Sequence, residues 1–220
     1  MTDPERGLFL AFEGVEGSGK TTQVARLAAW LRARGADVVV AREPGSTPLG
    51  ERVREIVLSA DLHVPARSEL FLMLAARAAF VEQVVRPGVE AGKVVIADRF
   101  ELSTLAYQGA GRGLPLDEVE ACNRVATGGL EPDATLLMDV DPEVGAERQR
   151  VAGKAADRME REEAAFHRRV AEGYRAHEAR VAGIVRIDAV GGEEQVHRRV
   201  LQALADRFPE TFPAAQVIRY

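Results

Sequence analysis

The stretch Gly14-Val15-Glu16-Gly17-Ser18-Gly19-Lys20-Thr21 constrains this chain more than any other. It follows the pattern Gly, any four residues, Gly, Lys, then Ser or Thr. An apolar run, Leu8 to Phe12, precedes it and reads as a buried strand. Gln23 to Arg34 follows and reads as a helix. Glycines let backbone N–H groups converge on phosphate oxygens with no Cβ in the way. The new helix points its positive end at the same place. In this pattern Lys20 reaches the β- and γ-phosphates and Thr21 holds Mg²⁺. Gly14 to Thr21, with Thr22 beside them, are therefore expected to bind ATP.

Beyond the loop, strands and helices alternate. Ala36 to Ala41, Lys93 to Asp98, Ala134 to Val140 and Ile184 to Ile187 read as further short strands. Pro48 to Ala60 carries apolar residues at helical spacing. Arg67 to Glu90 reads as a long helical region with Pro87 near its end. Pro115 to Ala126, a helix opened by Pro142, a long charged helix from Glu160 to Val181, and Glu193 to Phe208 complete the helical set. Strands apolar on both faces and separated by helices predict an α/β fold, a five-stranded parallel sheet covered on both sides. No linker or repeat interrupts the 220 residues, which predicts a single domain over 1–220. Pro209 to Tyr220 has two prolines and no period that assigns it an element.

Composition narrows the function classes. The chain has 29 basic and 34 acidic residues, a net charge of −5. A global basic field for nucleic acid is therefore absent, and phosphate binding must be local. A single cysteine, Cys122, excludes a disulfide framework and a multi-cysteine zinc site. No signal-peptide pattern opens the sequence, and no apolar run reaches the roughly 20 residues of a membrane span. A cytoplasmic protein is the expectation.

In open α/β sheets the ligand sits beyond the carboxyl ends of the strands. The second strand ends in Arg42-Glu43-Pro44-Gly45, the third in Asp98-Arg99-Phe100, the fourth in Asp139-Val140-Asp141. Asp98 either holds Mg²⁺, directly or through water, or caps the next turn or pairs with Arg99. Arg42 and Arg99 at adjacent strand ends suggest a second phosphate, that of an acceptor, because the guanidinium fork suits phosphate. Glu16 sits inside the phosphate loop, where Coulomb repulsion opposes it. It must be offset by a nearby arginine or by a hydroxyl it accepts from. Residues 147–158 carry Arg148, Arg150, Lys154 and Arg158 around a Gly-Ala break. A basic, breakable segment suits a short lid that closes over the triphosphate and brings cations to the developing charge.

The run Asp98-Arg99-Phe100-Glu101-Leu102-Ser103-Thr104-Leu105-Ala106-Tyr107-Gln108-Gly109 resembles the signature of thymidylate kinases. Arg42-Glu43-Pro44-Gly45 with Thr47, Glu69 to Arg77 with Val81-Glu82, and Asp157-Arg158 with Glu160 and Phe166 match the same family in order and spacing. The resemblance implies the P-loop kinase fold, a homodimer, and transfer of the ATP γ-phosphoryl to dTMP with Mg²⁺, giving dTDP and ADP on the route to dTTP. It implies that Arg99 clamps the acceptor phosphate, with Arg42, Glu43, Pro44 and Ser103 nearby. Arg77 would bond the thymine edge, Thr104 and Gln108 would face the base, Tyr107 would lie against the deoxyribose, and Glu16 would accept from the 3′-hydroxyl. The chain resembles the bacterial kind, which has no arginine in the phosphate loop and places the charge in the lid, so Lys20, Arg99, Arg148, Arg150, Lys154 and Arg158 form the expected catalytic set. Relatives often carry a third alternating arginine where this chain has Ala152. The aromatic that lies on thymine in some relatives is Met73 or Leu74 here, so stacking on the base is either weaker or supplied by Phe71.

Two rival readings remain from sequence alone. A kinase for another monophosphate or a deoxynucleoside shares the loop, lid and sheet. A nucleotide-binding switch shares the loop but needs effector segments in place of a base pocket and lid.

Overall fold

The structure, a computed structural model, describes residues 6–151, 153, 157–181 and 183–213. Strand β1 (Phe9–Glu13) is buried along its whole length. It lies at the centre of a five-stranded sheet with β2 (Val38–Arg42), β3 (Val94–Asp98), β4 (Ala134–Asp139) and β5 (Ile184–Asp188), in the order β2-β3-β1-β4-β5. Every pairing is parallel. The chain winds to one side of β1 and then to the other, so a crevice opens at the carboxyl end of β1.

Alternation of side chains along β1 divides the core. Leu10 and Phe12 pack with Val24, Leu27 and Leu31 of α1 (Lys20–Arg32) and Val200, Leu201 and Leu204 of α9 (Glu193–Arg207). Phe9 and Ala11 face the other way, toward Phe80, Val85 and Phe100. Phe212 belongs to the first cluster, stacked on Trp30 at 5.6 Å, so the start of the tail docks as irregular backbone. Residues 214–220 lie outside the described set.

The predicted elements form, with boundaries shifted by a few residues. Helix α2 (Pro48–Leu58) starts at an N-cap, Thr47, whose hydroxyl accepts from the Gly50 N–H at 2.9 Å. The long region read over 67–90 divides into α3 (Ala66–Phe80), a π-helical turn (Val81–Val85) and α4 (Arg86–Glu90). Pro87 enters in the first turn of α4, directly after the π-helical turn, where the ladder of the continuous helical run is already shifted. Helices α6 (Leu116–Thr127) and α7 (Pro142–Val151) match the reading closely. The charged helix expected from Glu160 is shorter. Asp157 Oδ1 accepts from the N–H groups of Met159 and Glu160, at 2.9 and 3.0 Å, and holds that segment as a turn. Helix α8 begins only at Ala164 and ends at His177, with one 3₁₀ turn beyond it (Glu178–Arg180).

An element that the periodicity did not reveal follows β3. It comprises α5 (Glu101–Thr104) and a π-helical segment, Leu105–Gly111. Its stability is tertiary: Gly173 of α8 lets the segment approach so closely that a Cβ there would collide with Ala110 and crowd Ala106. π-Helical turns often lie at functional sites, and this one carries Tyr107 and Gln108.

Candidate active site

The phosphate loop joins β1 to α1. Gly17 and Gly19 adopt φ of 70° and 92°, the left-handed region that favours glycine. A Cβ on Gly17 would also strike the backbone of Gly145 at the start of α7. Lys20 is buried and curls back over the loop, donating to the carbonyls of Gly14 at 2.9 Å and Val15 at 2.8 Å. Burial, and after it the positive charge of Arg99, lower its pKa to about 8.

That shift predicts a pH effect. Free Lys20 loses its proton as pH rises through 8, whereas bound phosphate favours the charged ammonium. Nucleotide affinity is therefore expected to fall above pH 8, with uptake of about half a proton per nucleotide at pH 8. Titration calorimetry in two buffers of different ionisation enthalpy reads this directly. Zero uptake at pH 8 contradicts the assignment.

Thr21 Oγ1 donates to Asp98 Oδ2 at 2.6 Å. Sheet register produces this pairing: Asp98 lies opposite both Phe12 of β1 and Arg42 of β2. A hydroxyl and a carboxylate side by side fit Mg²⁺, which takes hard oxygen ligands and keeps waters and phosphate oxygens. Among the described residues no group of three or more His, Cys, Asp or Glu could form an all-protein metal cage.

Arg99 directly follows β3. Its backbone has φ 79°, rare outside glycine and suggestive of a functional constraint. Its guanidinium pairs with Glu16 and donates to Tyr174 Oη at 2.7 Å, Ser103 Oγ at 3.1 Å and the Gly14 carbonyl at 3.2 Å. The offset that Glu16 requires is thus an arginine. Glu13, the last residue of β1, fixes the turn after Arg99. It is fully buried and accepts from Phe100 N at 2.8 Å, Ser103 N at 3.0 Å, Ser103 Oγ at 2.6 Å and Tyr174 Oη at 3.3 Å. Glu13→Ala strands two buried amides and is expected to cost about 2–5 kcal/mol. Chemical denaturation measures it; a midpoint at the wild-type value refutes this role.

Several predicted base-side residues lie elsewhere. Arg77 is 1% exposed and does not line the cleft. It pairs with Glu43 at 2.7 Å and donates to Thr104 Oγ1 at 2.7 Å and the Phe100 carbonyl at 2.8 Å. Arg77 and Thr104 therefore tie α3 to α5 and do not reach the cleft. Phe71 is 61% exposed on the outer side of α3, so the expectation that it stacks on the base is not met; Met73 lines the cleft in its place. Ser103, Tyr107, Gln108, Arg42, Glu43 and Pro44 do line it. Arg42 is paired there with Glu51 at 3.1 Å.

The lid cations separate in the same way. Arg148 lines the cleft and donates to the carbonyls of Gly17 at 3.3 Å and Ala189 at 3.0 Å. Arg150 pairs with Glu147 at 2.6 Å, with 74% of its side chain exposed, outside the cleft. Arg158 ties its segment to α2 and α3, donating to the Val57 carbonyl at 2.7 Å and to Glu69 at 2.5 Å. Lys154 and Ala152 lie outside the described residues. Sequence reasoning missed Arg54, which lines the cleft and donates to the Pro44 carbonyl at 3.2 Å. Its signal was positional: it lies three and four residues before Val57 and Leu58, which line the same cleft.

The loop, the strand ends and Arg148, Gln149, Asp157 and Met159 line one cleft of about 1250 Å³. Single-ligand sites are typically about 300–1,000 Å³, so this space suits two nucleotides end to end. A family model described as thymidylate kinase matches residues 12–200. The chain belongs to the thymidylate kinase family. A thymidylate kinase from Deinococcus radiodurans is 45% identical over 204 residues, 92% of this chain and 98% of that one. One from Pelotomaculum thermopropionicum is 48% identical over 200 residues, covering 90% and 93%. A crystal structure of thymidylate kinase from Ehrlichia chaffeensis superposes with a TM-score of 0.73 at 30% identity, covering 90% of this chain and 99% of that one. Like other thymidylate kinases, this enzyme has the P-loop kinase fold and phosphorylates dTMP to dTDP with ATP.

Proposed function

We propose that the two substrates meet at Thr21, Asp98 and Arg99, with the ATP triphosphate on the Lys20 side and the dTMP phosphate on the Arg99 side. The observation that carries this reading is the contact of Thr21 with Asp98 at 2.6 Å, beside the Arg99–Glu16 pair, in one cleft. Lys20 exchanges its two carbonyl partners for β- and γ-phosphate oxygens. The acceptor phosphate takes Arg99 from Glu16 and frees that carboxylate to accept from the 3′-hydroxyl. Arg148 approaches the transferred group from the lid. Thr21 and Asp98 would hold Mg²⁺, which would neutralise charge on the phosphate oxygens. The attacking atom is already a phosphate oxygen, so positioning and charge stabilisation suffice.

We further propose that residues 1–220 act as one catalytic unit with its lid near 147–158, in the cytoplasm and without a membrane or nucleic-acid partner. A homodimer is supported by the exposed Phe71 and Val125, on the neighbouring helices α3 and α6. An ADP-release assay with dTMP, dUMP, dCMP, dGMP and AMP tests the acceptor. dTMP is expected to lead by a wide margin; any other best acceptor overturns the reading.

A further inference from the structure

Glu69 is an acid on α3 whose side chain is only 1% exposed, yet it takes three side-chain partners. Gln108 Nε2 donates to its Oε1 at 2.9 Å. Arg112 donates to both of its oxygens at 3.1 Å, and Arg158 donates to Oε2 at 2.5 Å. Burial works against the charge of Glu69, but the bonds from Arg112, Gln108 and Arg158 outweigh it and hold the carboxyl below its usual range. An ionised carboxylate only accepts hydrogen bonds. The Gln108 amide therefore has one allowed orientation, with its NH₂ on Glu69 and its carbonyl oxygen on the other side. That Oε1 is buried and has no partner among the described residues, while Gln108 itself lines the cleft. A buried acceptor without a donor is a demand for one.

We propose that Glu69 is a positioning residue that fixes Gln108 as a hydrogen-bond acceptor toward the acceptor base, and so selects pyrimidines bearing a ring N–H. Thymine and uracil carry that hydrogen at N3. Cytosine presents a lone pair there and would face the Gln108 oxygen acceptor to acceptor. A site whose buried polar group is left unpaired rejects the wrong ligand strongly. Arg112 and Arg158 act one step further out, by keeping Glu69 charged. This inference rests on dTMP being the acceptor.

Glu69→Gln replaces the pure acceptor with an amide that also donates, which allows Gln108 to flip. The kcat/KM ratio of dTMP to dCMP is expected to fall at least tenfold. A merely structural role of Glu69 lowers turnover of both substrates together and leaves the ratio unchanged; that result, in a folded variant, overturns the inference. Should the variant not fold, the wild-type enzyme decides with 3-methyl-dTMP, which lacks the N3 hydrogen. Turnover reduced a hundredfold against dTMP supports the acceptor role of Gln108, and equal turnover overturns it. If the wild type does not prefer dTMP at all, the acceptor assignment fails first, and the two failures are distinct.

Discussion

Arg99→Ala is expected to raise the Michaelis constant for dTMP on the order of 10²–10³-fold, the usual effect of truncating one partner of a desolvated charge pair. The constant for ATP should move only a few-fold, because Lys20 and the backbone N–H groups of the phosphate loop stay in place. The substitution also leaves Glu16 facing the incoming phosphate without its arginine, so repulsion adds to the lost attraction. A second consequence concerns Lys20. Its lowered pKa owes most to burial and next to the charge of Arg99. Removing that charge should move the pH above which nucleotide affinity declines upward from about 8. Steady-state kinetics against each substrate, with nucleotide binding followed between pH 7 and 9.5, reads both effects. Equal changes in the two Michaelis constants would contradict the acceptor assignment.

The second large effect is at Lys20. Lys20→Ala removes the only basic side chain between Gly14 and Thr21. Loss of one preorganised donor at a charge-developing site costs on the order of 10²–10³ in kcat, and the loss of a whole charge places Lys20→Ala at the upper end. The fold should survive, because burying a charged ammonium opposes folding and its removal offsets the two lost carbonyl contacts. Rapid-quench measurement of phosphoryl transfer, beside a thermal melt, checks both halves. Near-normal transfer by a folded variant removes Lys20 from the chemistry.

How much of the site was legible depended on how local its cause was. The phosphate loop is a local object: its glycines, lysine and threonine are contiguous, and backbone sterics alone dictate the turn. The strand ends were equally legible, since an apolar run that stops in a charged residue marks its own carboxyl edge. Parallel register then carried Thr21, Asp98 and Arg99 to one place, as the α/β rule predicts. The base side was less legible. Arg77 and Gln108 are both polar residues in apolar helical surroundings, and nothing in their spacing tells which one faces the cleft. The difference lies in their partners, which come from distant segments: Glu43 and Thr104 capture Arg77, whereas Glu69 takes only one end of Gln108.

The sequence by itself therefore determined the sheet, the triphosphate cradle and the edge where chemistry occurs, because hydrophobic period and glycine conformation act over a few neighbouring residues. Only the tertiary structure decided the division of labour among like charges. Arg150 takes Glu147, its helical neighbour three residues before, but packing set Arg148 into the cleft and Arg158 on Glu69. A guanidinium binds whichever carboxylate or carbonyl the folded chain brings within reach, and that proximity is a property of packing between segments far apart in sequence.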